Sequence, residues 1–434
     1  MKLETLHLTN FRRFRDLSLS FHPELTVLAA RNGQGKTSVL DAASIMLGPF
    51  VGAFDLGKSK SIEVKDVRFQ RLHEQSDSEQ VYPVQLKATL LGLEQPIHRE
   101  LNSPKGRTTS KDAAELAEIG KQLMDNVREL QSVALPLIAY YGSGRLWNAH
   151  KNMSRKAVLS TSRTMGYEDC TSSASSFTQV QQWVTKATYA VLQQQEMDAY
   201  QGYKLADQLK GIQNTVDRML QNEGWSGFHF SVQHEELAMA HTELGVLPVS
   251  MLSDGVRAMV SLVADMAWRC SKLNPQMGSE AQQQTEGIVF IDEVDMHLHP
   301  EWQQTVIKSL RAAFPKIQFI VTTHSPQVLS TIRRENIRVI QTQPDGFATA
   351  EPPMARTYGE PSGDVLHSVM AVDPQPPVDE KQQLQRLTEL VDQGLHEQLE
   401  AIELTQTLSA TLGEQHPQLQ RLQRSIQRQK ALKG

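Results

Sequence analysis

The 434-residue sequence predicts an α/β fold, a sheet with parallel central strands around a glycine-rich turn, and three observations lead there. An apolar strand over 25–30 runs into Ala30-Arg31-Asn32-Gly33-Gln34-Gly35-Lys36-Thr37 and then into a helix over 37–47. A second apolar strand, 288–291, ends in Asp292 and Glu293. A third, 317–322, follows a helix over 300–313 and ends at Thr322-Thr323-His324-Ser325, so strands and helices alternate as a parallel sheet requires.

The remaining elements follow in chain order. Residues 2–8 and 17–21 alternate apolar and polar around Asn10-Phe11-Arg12-Arg13-Phe14, and 84–91 with 97–101 has the same period across a short loop, which predicts a hairpin. A basic loop over 104–111 precedes helical spacing over 112–133 and a strand over 135–141 that ends in Gly142-Ser143-Gly144-Arg145. The Ser/Thr-rich stretch 159–176 reads as a mobile connector, and 177–222 as two or three Gln-rich helices, too short for a long coiled-coil arm. Phe228, Phe230 and Val232 alternate as a strand. Leu252-Ser253-Asp254-Gly255 then opens an amphipathic helix over 256–270. Pro-rich composition over 344–353 and 374–377 marks boundaries before Leu-spaced helices that run to residue 434.

Composition narrows the class. Net charge is −5, with 44 basic and 49 acidic residues, so no global basic field argues for nucleic acid and any such contact must be local. Cys170 and Cys270 stand far apart without metal-ligand spacing, which indicates neither a disulfide framework nor a zinc site and makes the cytoplasm the expected compartment. No apolar run has the length of a membrane span, and the alternating N-terminus lacks the apolar core of a signal peptide.

The glycine-rich turn between strand and helix has the form of a P-loop. Backbone amides over 32–36 would cradle phosphate oxygens, Lys36 would reach the β- and γ-phosphates of ATP, and the Thr37 hydroxyl would ligate Mg²⁺, with Ser38 completing the turn. Ala30 stands where the common pattern has its first glycine. At the carboxyl end of its strand, Asp292 suits Mg²⁺ through its water shell and Glu293 suits polarising an attacking water. Either carboxylate alone reads equally as a helix N-cap, and the P-loop upstream favours the catalytic reading. A lone His at a strand end is more often structural, yet His324 in this order suggests a γ-phosphate sensor.

In this order the motifs resemble the ABC-type ATPase heads of the SMC and RecF proteins, over about residues 1–345. The resemblance implies a head with a mixed sheet around the P-loop, a helical insertion and a C-terminal helical extension. It carries Arg12 and Arg13 over as nucleotide contacts. It also implies a head-to-tail dimer in which Ser253 and Gly255 of one copy close on ATP bound to the other, with Asp295 and His299 near the partner head. A Ser hydroxyl and a Gly amide at a helix N-terminus suit an anion, and Ser253 reads alternatively as an ordinary N-cap.

A narrower resemblance, carried by PLIAYYGSGRLW over 136–147 and RTYGEPSGDVLHSVMAVDP over 356–374, is to the PtuA-like ATPases of Septu and retron-linked antiphage systems. It implies an HNH-type nuclease as partner. No nuclease-like His and Asp set follows the head, so the chain itself is not expected to cut nucleic acid. A RecF-like repair ATPase that binds DNA is the rival reading, and a transporter ATPase is weaker because the Asn10-Phe11-Arg12 entry replaces an aromatic stacking strand.

The expected organisation is an N-terminal lobe over 1–111, a mainly helical insertion over 112–227, a second lobe over 228–345 and a linker with partner-docking helices over 346–434. Lys105, Arg107 and Lys111, and the acid-free stretch 421–433, are candidate phosphodiester contacts or simply solvated faces. Tyr140, Tyr141 and Arg145 read equally as nucleotide reporters and as packing.

Overall fold

Alternating apolar residues place β1 (Leu3–Phe11) and β2 (Phe14–Ser20) side by side with one face in the core. Only Arg12 and Arg13 separate them, and Phe11 pairs with Phe14. Both strands run closer to the turn than the alternation alone predicts, because Phe11 and Phe14 are fully buried and Arg12 takes a φ of 51° to close the hairpin. The computed structural model describes residues 1–71, 77–146, 162–172, 177–194 and 205–433. These fall into two units, Met1–Met370 and Ala371–Gly434.

In the first unit β3 (Leu25–Ala29), buried throughout, leads into helix α1 (Lys36–Met46). The strands β4 (Arg68–Arg71) and β5 (Ser78–Val81) form a short hairpin, and β6 (Val84–Leu90) and β7 (Ile97–Leu101) form the longer one that the alternation predicts. After β8 (Leu137–Tyr141), a small antiparallel sheet follows from β9 (Trp225–Ser231), β10 (Glu236–His241) and β11 (Gly245–Pro248). Then come β12 (Gly287–Ile291), β13 (Ile317–Thr323), β14 (Ile337–Thr342) and β15 (Phe347–Glu351).

Ten strands make one mixed sheet in the order β7-β6-β1-β2-β15-β14-β3-β13-β12-β8. The run from β14 to β8 is parallel, and register pairs Ala29 with Thr323 and Val321 with Ile291, so β3, β13 and β12 end at one edge. That edge is where ligands of parallel α/β sheets bind. The α/β class and the mixed sheet around the P-loop are those the sequence predicts.

Several segments differ from the sequence expectation. The Pro-rich stretch 344–353, read as a boundary, holds β15, whose pairing with β14 and β2 joins the parallel and antiparallel halves of the sheet. Residues 346–370 therefore lie in the first unit. The expected helix over 300–313 is two pieces, Pro300–Gln303 and Val306–Ala313, with the Thr305 hydroxyl donating back to the Trp302 carbonyl at the break. Within the stretch read as mobile, 162–172 is packed: Met165, Tyr167 and Cys170 are buried and Arg163 donates to the Leu273 carbonyl. The rest of that stretch, Trp147 and residues 195–204 of the Gln-rich segment lie outside the described residues.

The helix Asp254–Leu273 is buried along most of its length. Its Arg269 pairs with Asp265 at 2.8 Å, and the Tyr141 hydroxyl at the end of β8 donates to the same carboxylate oxygen at 2.6 Å. The second unit has its own core, in which Leu384, Leu387, Leu390, Val391, Leu408 and Leu419 join the helices Lys381–Asp392, Leu399–Leu412 and Pro417–Lys433. Among the described residues no helix is long and apolar enough to cross a membrane.

Candidate functional site

The turn between β3 and α1 depends on its glycines. Gly33 and Gly35 have φ of 73° and 92°, and a Cβ on Gly35 would stand 2.4 Å from the Phe14 ring. The chain therefore folds tightly over the β1–β2 hairpin and delivers Lys36 to the first position of α1. The Gln34 side-chain oxygen accepts from the Thr342 amide at 3.1 Å, which ties the turn to the end of β14. Asn32 is exposed and Ser38 is buried beneath the turn.

Lys36 is 7% exposed, and its ammonium donates to the Ala30 carbonyl at 3.0 Å. Burial lowers its pKa, while Asp292, Glu293 and Asp295 act in the opposite direction. A buried ammonium at a helix N-terminus, where four backbone amides lack intrahelical partners, is a setting that an anion would stabilise.

The acidic strand end meets this turn directly. The Thr37 hydroxyl donates to Asp292 Oδ2 at 2.8 Å, and the Thr322 hydroxyl donates to Asp292 Oδ1 at 2.6 Å. Thr322 also accepts the Glu293 amide at 2.8 Å, so one side chain on β13 fixes both acidic positions. Glu293 has a φ of 49°, a left-handed conformation that costs a non-glycine residue about 1–2 kcal/mol and that clusters at functional sites. The Thr323 hydroxyl donates to Asp295, and His324 follows, half-buried. Burial and the Lys36 charge lower the His324 pKa below the ordinary 6.5, against smaller opposing effects of Asp295, Glu293 and Asp292.

Ser253 and Gly255 lie at the start of the helix Asp254–Leu273. Ser253 occupies the N-cap position, yet its side chain makes no capping hydrogen bond and is exposed. Gly255 is buried, and a Cβ there would lie 2.4 Å from the His297 carbonyl oxygen, so the loop after Glu293 packs against the backbone of this helix start.

The two arginines of the β1–β2 turn have different partners. Arg12 donates to Asp66 through Nε and Nη2 and to Asp41 on α1 through Nη1, at 2.7–3.0 Å. The structure thus places it between carboxylates. Arg13 instead lies over the glycine turn, with its Cδ 3.0 Å and Nη1 3.9 Å from Cβ positions built on Gly35 and Gly33. Arg12 and Arg13 both line an open cleft of about 430 Å³, together with Arg68, Phe69, Thr342, Gln343, Pro344 and Gly346. Arg68 is 7% exposed and donates through Nη2 to the Asp345 carbonyl, and among the described residues its buried Nε and Nη1 have no hydrogen-bond partner and no carboxylate lines the cleft.

The structure therefore brings Lys36, Thr37, Asp292, Glu293 and His324 to one sheet edge, with Arg13 beside them. Sequence reasoning missed Thr322, Asp41, Asp66 and Arg68. The Thr322-Thr323 pair was visible as a strand end, whereas nothing local marks Arg68 or the partners of Arg12.

An AAA-domain family model matches residues 5–223, and a second AAA-domain model matches residues 195–330. The retron Vc95 probable ATPase of Vibrio cholerae serotype O1 biovar El Tor is 24% identical over 412 residues, 84% of this chain and 78% of the relative. The retron Ec83 probable ATPase of Escherichia coli is 38% identical over 183 residues, 42% of this chain and 32% of the relative. The Septu protein PtuA of Bacillus mycoides is 45% identical over 75 residues, 17% of this chain and 10% of that protein.

The donor set suits hard ligands. A hydroxyl and a carboxylate 2.8 Å apart fit a divalent cation of the Mg²⁺ type, and the lysine and helix terminus fit phosphate oxygens.

Proposed function

Because this chain belongs to the AAA-domain family, we propose that it binds ATP with Mg²⁺, hydrolyses the γ-phosphate, and as an ATP-bound dimer controls a partner nuclease in an antiphage defence system. The observation that carries the chemistry is the Thr37–Asp292 hydrogen bond, which joins P-loop and acidic strand across the sheet edge.

In this reading Lys36 exchanges its bond to the Ala30 carbonyl for the β- and γ-phosphates, and the amides at the start of α1 hold their remaining oxygens. Thr37 and Asp292 would hold Mg²⁺, whose charge would offset that of the phosphates. The adenosine half lies in the open cleft lined by Arg13, Arg68 and Phe69. Arg12 serves by bracing the turn between Asp41 and Asp66. Glu293 orients the water that attacks γ-phosphorus and draws off its proton as the bond to the β,γ-bridging oxygen breaks. His324 faces the same phosphate as a neutral imidazole.

Ser253 and Gly255 complete the site of a second copy. The exposed, uncapped Ser253 hydroxyl supports this over the ordinary N-cap reading. Similarity to retron probable ATPases and to the Septu protein PtuA supports a defence role. In this reading the controlled partner is an HNH-type nuclease in the cytoplasm.

Sedimentation with ATP and Mg²⁺ tests the dimer. The wild type shifts from monomer to dimer, and Ser253→Arg stays monomeric with its ATP affinity retained. A variant that dimerises as the wild type does sinks the proposal.

A further inference from the structure

We propose that the exposed face of the helix Pro417–Lys433 binds the phosphodiester backbone of a nucleic acid. Arg421, Arg424 and Arg428 stand at i, i+3 and i+7, which stacks them on one side of the helix over about 10 Å. All three are exposed, and none has an ion pair or hydrogen bond among the described residues. Lys430 adds a fourth exposed cation, and the helix contains no Asp or Glu.

The opposite face is anchored. Leu419 and Leu422 are buried in the core of the second unit, Ile426 packs against it, and Gln429 donates to the Val391 carbonyl at 2.8 Å. The arginines therefore project from a fixed support.

The carboxylates of the same unit lie outside this helix, the one closest in sequence being the exposed Glu414, three residues before its start. Glu389, Asp392, Glu400 and Glu403 are on the two preceding helices, and there Arg386 is held by Glu400 through two nitrogens. The bare charge of the last helix is thus a property of that face and not of the unit as a whole.

Charge without an apolar anchor favours phosphodiester over an acidic protein. Protein interfaces centre on buried aromatic or aliphatic side chains. Among the described residues the exposed large apolar side chain of this helix is Leu432, at its very end. Gln420, Gln423 and Gln427 fill the flanks with neutral hydrogen-bonding groups. Each strand of a duplex carries a phosphate about every 3.4 Å of helix axis, so a row of guanidiniums about 10 Å long can reach more than one of them.

Fluorescence anisotropy of the full-length protein with a labelled single strand and a labelled duplex, across a series of KCl concentrations, tests this. Each phosphate contact contributes about 0.7–0.9 to the slope of log affinity against log salt. Replacing the three arginines by Gln, which keeps helix propensity, lowers that slope by about 2–3 and leaves circular dichroism and ATP turnover unchanged. Replacement by Lys keeps most of the slope. The proposal is overturned if the wild type binds neither oligonucleotide, if the Gln variant keeps the wild-type slope, or if polyglutamate of equal charge competes as well as the oligonucleotide, which would assign the face to an acidic protein.

Discussion

Gly255 and His297 touch backbone to backbone: a Cβ on Gly255 would fall 2.4 Å from the His297 carbonyl oxygen. The helix that starts at Asp254 and the loop that leaves Glu293 are thereby packed as one surface. Gly255→Ala must displace a carbonyl, an overpacking change that costs about 1–3 kcal/mol. Ser253→Ala removes a hydroxyl that caps nothing and is expected to stay within about 0.5 kcal/mol. Urea unfolding of the two variants without nucleotide checks the pair. A Ser253→Ala loss of about 1 kcal/mol or more would restore the N-cap reading.

His324 gives a pH dependence with a definite sign. Burial and the Lys36 ammonium both disfavour the imidazolium, and the three nearby carboxylates only partly compensate, so the pKa lies below 6.5. The ring is neutral at pH 7 and becomes charged only as pH falls through that lowered value. The acid limb of kcat/KM, which reports groups of the free enzyme, should have its midpoint below 6.5 and should shift toward the carboxylate range in His324→Gln. A midpoint above 6.5, or a limb that the substitution leaves in place, contradicts this role.

The pair Asp265–Arg269 is almost completely buried, and Tyr141 shares its carboxylate. Arg269→Met leaves Asp265 in the core without its counter-charge, which should cost about 3–5 kcal/mol. Replacing both by Leu and Met removes the stranded charge and should recover a large part of that loss. Chemical denaturation of the single and double variants measures the difference, and equal losses would mean that shape and not charge governs the site.

The parts of this molecule that were legible in the sequence are those written by local rules. Gly33, Gly35 and Lys36 between a strand and a helix, and Asp292 and Glu293 after an apolar strand, each announce a backbone requirement or a sheet edge within a few residues. Ser253 was visible for the same reason, although its choice between capping and exposure was not. Arg12 shows the limit: its type and position suggested a nucleotide contact, and its partners Asp66 and Asp41 are 54 and 29 residues away in the chain. Long-range pairing also decided β15, where the prolines at 344, 352 and 353 outweighed the alternation of the short strand between them. Strand β10 was missed because three consecutive buried residues, Leu237–Met239, break the period of two. Arg68 lacks any sequence signal, since only the turn at Gly346 and the cleft beyond it give the side chain its setting.

The central claim is that Glu293 orients the water that cleaves ATP held by Lys36, Thr37 and Asp292. Its most direct test is a paired measurement on Glu293→Gln: ATP affinity by equilibrium binding, and single-turnover hydrolysis with Mg²⁺. The account predicts affinity within a few-fold of the wild type and hydrolysis slowed by about 10²–10³, as loss of one preorganised polar group in a reaction centre does. Hydrolysis at the wild-type rate with affinity intact would contradict it.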